Sequence, residues 1–575
     1  MSASSGREPG AILLRPLVFA PILLTLGLLI SIRFAGFRLG GNDEGALLTA
    51  AGKILRGGVF YRDIDAYPFP GAHYLLAAVM AIFGERLGVA RGLATAVFCG
   101  ILLALYSTAL LLLDRRRAAL FGASLLSFKF LAWPAFTAFF YWDLALLGAC
   151  LAIYLSLRRS PSAGMVWDAA IGACVGLAFV SKQSVGIYLG AAALVLLTLD
   201  GPLFGARRPA RARLSEAAGL LLGFAVTVTP MAAYFAIEGL LGHMLHSGLV
   251  RPLTDYAPTS GISFMAPLRW WEFGELQGIP GFSYFPEPYW TLLRHRVLPE
   301  EAWYPAYWAA GEFFLRSVYT SVPLVFAGAA LLWITARRRG ALPAERRRTS
   351  FAVLALAVVL TAFPRADFAH VMGVYPPVLL LFFVLEKRCA EASHTVATAR
   401  WLPWLETAVV GVTLSLIALL AFAHQESMTA KIKLGRAMLR VHSEDAFIES
   451  VVRYIDDETP VGASLFIYGH EAYYYFLTSR YSPWPFSQLY PGQDGGDGGA
   501  SLVALLERDR PDFVVQGFIR FPGVPGLPEQ APVLDAFLRA EYEADPAVFE
   551  RYPPWGGALP VPHRMILLRR RDDRR

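Results

Sequence analysis

Asp43 and Glu44 stand side by side at the head of GNDEGALLTAAGKIL, Asp143 closes the run FFYWD, Lys182 lies in SKQS, and Arg365, Asp367 and His370 share PRADFAHV. All of them sit beside or between apolar runs. Charge at the edge of a bilayer is costly and tends to be kept where it has a task. Lys and Arg bind phosphate oxygens through charge-assisted hydrogen bonds, and a carboxylate beside them can take a proton from a nucleophile. Asp43, Glu44 and Asp143 are therefore the candidate catalytic acids. Lys182, Arg365 and His370 are the candidate cradle for a phosphate. A lipid-borne sugar phosphate would use both sets at once. Two plainer readings stand beside this one: Asn42 or Asp43 caps a helix, and Asp143, Lys182 and Arg365 pair with one another or reach to the membrane surface.

The elements that must position these groups follow from composition. The chain has 575 residues, 55% hydrophobic and 17% charged, with apolar runs near the ~20 residues that span a bilayer. Its net charge of +7 is gathered in arginine clusters between those runs. That pattern orients membrane helices, with the arginines on the cytoplasmic side, and no nucleic-acid signature accompanies it. Cys99, Cys150, Cys174 and Cys389 have neither disulfide-framework nor zinc spacing.

Charge arithmetic then lays out the chain. A first span at 13–32, flanked by Arg7 and Arg15, leaves the N-terminus in the cytoplasm and leads to an outer loop at 33–87. Apolar positions Leu47, Ala50, Ala51, Ile54 and Leu55 predict an amphipathic helix behind Asp43. Residues 71–84 are read as an interfacial helix, because a crossing there would leave Arg115, Arg116 and Arg117 outside. Spans follow at 88–113, 118–138 and 143–157. Residues 166–199 form two short spans joined near Lys182, and a span at 215–236 leads to a second, aromatic-rich outer loop at 237–316. Spans at 318–336, 350–363, 374–386 and 403–423 complete a set of about eleven. From 424 the pattern changes: ASLFIYG, PDFVVQG and MILLRR read as strands, EAYYYFL and SLVALLERD as helices, and PGQDGGDGGA as a loop. The expected fold is a polytopic α-helical membrane protein, residues 1–423, with a C-terminal extracytoplasmic α/β domain, residues 424–575.

NDEG, AGKILRGGVFYRD, YPFPGAHYLLAAVMAIFG and Arg91 together resemble the N-terminal signature of the GT-C glycosyltransferases that use polyprenyl-phosphate sugars, such as protein O-mannosyltransferases and the lipid A aminoarabinose transferase. GLAFVSKQ and PRADFAHVMGVYPP carry the likeness further along the chain. By position, the resemblance makes Asp43 the catalytic acid, Asp143 the second loop acid, and Lys182 a neighbour of the donor phosphate. This chain departs from the pattern in having YPFPG for the commoner PPG, and Leu144 where a proline is usual after the second acid. The resemblance implies an inverting transfer from a polyprenyl-phosphate sugar, within the membrane lipid of a bacterial inner membrane, to an envelope lipid, glycan or protein. A divalent metal ion between Asp43 and Asp143 would suit their oxygen ligands. A transporter or flippase for a lipid-linked anionic sugar would use the same cations, although many such proteins are built from repeats and none is visible here.

Overall fold

The computed structural model describes residues 15–160, 163–199, 209–278, 303–392, 402–482, 484–489, 495–517, 526–554 and 565–571, with isolated positions between them. Phe285 and Trp290 of the second outer loop, and residues 491, 492 and 494 of the glycine-rich loop, lie outside this set. Helices dominate: α1 (Pro16–Ala35), α2 (Gly41–Leu55), α3 (Gly71–Phe83), α4 (Leu87–Leu112), α5 (Arg115–Leu126), α6 (Tyr141–Arg158), α7 (Met165–Ser181), α8 (Gln183–Thr198) and α9 (Ala210–Ile237) in the first half. Then come α10 (Tyr304–Arg338), α11 (Leu342–Val359), α12 (Phe368–Val374), α13 (Pro376–Ala392) and α14 (Leu402–Glu426).

Among the described residues, six helices are long and apolar enough to cross a membrane, or seven if α12 and α13, bent by 56°, form one broken span. The chain is a multi-pass membrane protein. Helices α3, α7 and α8 are apolar but shorter, and α5 and α11, which carry the expected spans at 118–138 and 350–363, fall in neither group. The break between α7 and α8 falls at Lys182, as the sequence suggests. Arg159, just past the end of α6, meets Asp168 of α7 at 2.5 Å and Glu216 of α9 at 3.5 Å, so the hairpin starts and returns at the same end. At another arginine cluster, Arg117 pairs with Glu386 at 2.6 Å and Arg116 with Glu406 at 3.1 Å, gathering the α4–α5 and α13–α14 connections.

Two expectations are corrected. No continuous helix runs through 118–138: α5 stops at Leu126 after 12 residues, and one more turn brings Phe130 to Phe34 at the end of α1 and His424 near the end of α14. Beyond a single turn at Phe128–Leu131 the chain folds back through Trp133–Phe140, where Lys129, 1% exposed, donates to the Phe136 carbonyl. A buried ammonium that finds its acceptor in a turn holds that turn in place of a helix. The second correction concerns the outer loop at 237–316. Helix α10 already begins at Tyr304, and the loop carries helical turns from Leu241 to Ser260.

Beyond α14 the chain forms an antiparallel hairpin, β1 (Ala430–Lys433) with β2 (Met438–Val441). A four-stranded sheet follows in the order β3-β4-β6-β5, from β3 (Leu465–Tyr468), β4 (Phe513–Gly517), β5 (Tyr542–Ala544) and β6 (Met565–Arg570). Strands β3 and β4 run parallel and the other pairs antiparallel. Helices Phe447–Glu458, Tyr473–Thr478 and Ala500–Asp509 complete the expected α/β pattern. Its apolar core continues into that of the membrane helices, where Val451 and Leu465 share a buried cluster with Leu47, Leu48 and Ala51.

Candidate active site

Helix α2 carries the first acids on opposite errands. It starts at Gly41, whose φ of +77° lets the chain turn sharply into the helix, so Asp43 falls within the first turn and no side chain caps the start. The capping expected of Asn42 or Asp43 is replaced by Glu44, whose Oε2 accepts the Gly40 N–H at 2.6 Å. Glu44 is 2% exposed and also accepts from Arg91 of α4, at 2.9 Å from Nε and 2.8 Å from Nη2. Arg91 in turn donates to the carbonyls of Ala35, Phe37 and Arg38. One buried ion pair therefore holds the end of α1 and the head of α2, and leaves Asp43 free to face the other way.

The opposite face of α2 meets the C-terminal region. Thr49 Oγ1 donates to the Ala472 carbonyl at 2.9 Å and Lys53 Nζ to that of Trp484 at 2.6 Å. A Cβ at Gly45 would collide with the backbone nitrogen of Tyr473, so only glycine permits this approach.

The late cationic group is organised by Asp367. Its Oδ2 accepts from Arg365 Nε at 2.6 Å, while Oδ1 accepts the His370 backbone N–H at 2.9 Å and lies 2.6 Å from His370 Nδ1. Asp367 is thus both the N-cap of α12 and the shared anchor of the two residues expected to hold a phosphate. Burial works against its ionisation, but His370 and Arg365 outweigh it and hold the carboxyl well below the usual carboxylate range. The His370 ring lies parallel to Trp142 at 6.2 Å. Lys182 Nζ donates to the Thr361 carbonyl at 3.2 Å, which brings the α7–α8 break against the segment leading to Arg365. Gln183, one residue on, accepts from Phe69 N–H at 3.2 Å and donates to the carbonyls of Tyr67 and Gly248, stitching the 33–87 and 237–316 segments to the same point.

These segments enclose a cavity of about 870 Å³. Asp43, Lys182, Arg365, Asp367 and His370 all line it, and Arg38 adds a further basic side chain. Among the described residues no group hydrogen-bonds the Asp43 carboxylate, which opens onto the cavity but is ringed by protein. Burial raises its carboxyl above the ordinary value; His370 and Arg365 oppose the rise, and Asp367 adds to it. A carboxylate with raised affinity for a proton, facing cations, can accept a proton from a hydroxyl while the cations hold an anion.

Not every candidate reaches this space. Glu44 lies behind Asp43, in its pair with Arg91. Asp143 is 1% exposed and does not line the cavity; the adjacent Trp142 does, while Asp143 Oδ2 accepts from the Phe136 N–H at 3.4 Å. Asp43 lines the cavity and Asp143 does not, and no group of three or more His, Cys, Asp or Glu suited to a metal ion occurs among the described residues. The donor set does not fit a divalent ion shared by these two acids. The described aromatics of the second outer loop, from Trp270 to Trp308, lie outside the cavity wall. Gln183 and Arg38 are additions that the sequence did not single out as site residues. Asp367 is read in the sequence as a member of the Arg-Asp-His group without a role of its own; standing three residues ahead of His370 at a helix start, it has the spacing of an N-cap.

No family model and no curated protein matches the sequence. Solved structures do share its fold. ArnT from Cupriavidus metallidurans in the apo state is 14% identical with a TM-score of 0.51, over 96% of this chain and 97% of that one. The oligosaccharyltransferase of Archaeoglobus fulgidus in complex with zinc and sulfate is 13% identical with a TM-score of 0.50, over 86% of this chain and 68% of that one. Both are GT-C glycosyltransferases, and the architecture of this chain is the GT-C fold.

Proposed function

We propose that this protein is an inverting glycosyltransferase that moves a sugar from a polyprenyl-phosphate donor to an envelope acceptor at the outer face of a bacterial inner membrane. The observation that supports the reading most is that Asp43 lines one cavity together with Lys182, Arg365 and His370. In this reading Asp43 takes the proton from an acceptor hydroxyl as its oxygen forms a bond to the anomeric carbon. The bond from that carbon to the phosphate oxygen breaks on the opposite face. The electron pair leaves with the polyprenyl phosphate, which needs stabilisation of charge rather than a proton. Lys182 and Arg365 supply it, with His370 beside them. Asp367 fixes the last two in register, and Glu44 with Arg91 fixes the turn that presents Asp43. Asp143 serves by holding the Trp133–Phe140 wall, and no step is assigned to a metal ion.

The shared fold with two glycosyltransferases adds to this reading. The arginine clusters, at loops opposite the cavity residues in the sequence-derived topology, support an outward-facing site. Incubation of the purified protein with a labelled polyprenyl-phosphate sugar and envelope extract from a strain lacking the protein tests the proposal. Label should pass to an envelope component with release of polyprenyl phosphate. Movement of the intact lipid-linked sugar across vesicles without its cleavage would point to a flippase instead.

A further inference from the structure

The wall of the cavity that faces Asp43 from the C-terminal region is acidic and polar where the membrane wall is basic. Glu444, Asp445, Glu471, Ser487 and Gln488 line it. Glu471 differs from the rest in how it is built in. It is 3% exposed and follows the carboxyl end of β3, with His470 N–H donating to its Oε2 at 2.9 Å. A Cβ at Gly469, after β3, or at Gly517, the end of β4, would collide with the same carboxylate. The two strands are parallel, and the carboxyl ends of parallel strands are where α/β sheets bind ligands. Its Oε1 is buried and has no hydrogen-bond partner. A buried polar atom left unpaired costs about 1–3 kcal/mol, so it calls for an explanation. The Gly45–Tyr473 contact ties Glu471 to the base, since each acid stands only two residues from that contact and two residues extend at most about 7 Å.

Resting on the glycosyltransferase reading, we infer that Glu471 is an acceptor-specificity residue whose free Oε1 hydrogen-bonds a hydroxyl of a carbohydrate acceptor. Other ligand chemistries fit less well. An anionic headgroup would meet Glu444 and Asp445. A permanent ammonium would need a fully ionised partner, whereas burial pushes the Glu471 carboxyl up to about 7. A hydroxyl both donates and accepts, which matches a carboxyl in either state and the neighbouring Ser487 and Gln488.

The test uses the full chain in nanodiscs, titrated with neutral tetrasaccharides of glucose, galactose and mannose, with a lysine tetrapeptide and with glucosamine 1-phosphate. At least one neutral oligosaccharide should bind. Its affinity should fall at least tenfold in Glu471→Leu and less in Glu471→Gln, which keeps the bond from His470. Removing the contacted hydroxyl from the sugar should weaken binding to the wild type but not to Glu471→Leu, a coupling that misfolding would not produce. Oligosaccharide binding that is absent, or equal in all three proteins, overturns the inference, as does Glu471-dependent binding of the peptide or the sugar phosphate in its place. Undecaprenyl phosphate titrated into the wild type probes the donor side separately. If it fails to bind, the glycosyltransferase reading falls; if it binds while the Glu471 variants are indifferent, only this inference falls.

Discussion

Glu44 and Arg91 face each other at 2.8 Å with their side chains 2% and 0% exposed, and they stand immediately behind the carboxylate that opens onto the cavity. Removing one partner of a buried pair leaves the other charge unsatisfied, at a cost of about 3–5 kcal/mol. Arg91→Ala also frees three carbonyls. It should therefore lower the thermal midpoint of the purified protein sharply, and Glu44→Gln, which keeps an oxygen for Gly40, should cost less. Equal midpoints for Arg91→Ala and the wild type would show that the pair does not hold the turn.

Asp43→Asn separates support from chemistry, because the asparagine is of the same size and α2 does not use this side chain as a cap. Transfer should fall by about 10²–10⁴-fold, the usual worth of a general base, with expression unchanged. An active variant would move the base elsewhere.

The raised Asp43 carboxyl also makes a statement about stability. Folding favours its protonated form, so its contribution is fully present below the unfolded carboxyl value of about 3.9 and is lost as pH rises through the raised folded value. Asp43→Asn should accordingly melt above the wild type at pH 8, with the gap closing towards pH 4. Wild-type transfer should rise with pH across the same window. A gap that does not change with pH would mean that Asp43 is not perturbed.

Lys182→Ala and Arg365→Ala should weaken donor binding while leaving the fold intact. Asp367→Asn should do the same although it contributes no cation, because it loosens both Arg365 and His370. The readout is the KM for donor set against kcat, together with titration of undecaprenyl phosphate. Wild-type donor affinity in both cation variants would remove these residues from the phosphate site.

Topology can be read with reporter fusions at Gly84 and Arg116. An external reporter at Arg116 would make α3 a true crossing and shift the register of the spans that follow, whereas a cytoplasmic one supports α3 lying along the outer surface.

That Asp43, Lys182, Arg365 and His370 would line one cavity was legible because each is an ionisable group in a chain with few of them, and a bilayer makes such groups conspicuous. The α7–α8 break was legible for the same reason. Asp143 was not: successive residues on a helix point about 100° apart, and nothing in FYWD tells which of Trp142 and Asp143 turns to the cavity. The fold-back at Trp133–Phe140 was hidden by its apolar composition, which suits a span as well as a buried turn. Glu471 was invisible because its setting depends on two strands and two glycines that the sequence holds about fifty residues apart.

Helix α2 is clasped by the C-terminal region on one face and carries Asp43 on another, so the boundary between hydrophobic and soluble sequence is not a boundary between interchangeable parts. A chimera that replaces residues 424–575 by the corresponding piece of a relative would bring a foreign surface against Gly45, Thr49 and Lys53, and would tilt the helix that presents the carboxylate. For recombination, the inherited unit is the C-terminal region together with 41–55, two segments at opposite ends of the chain. Grafts that exchange both should keep transfer where grafts of either alone lose it.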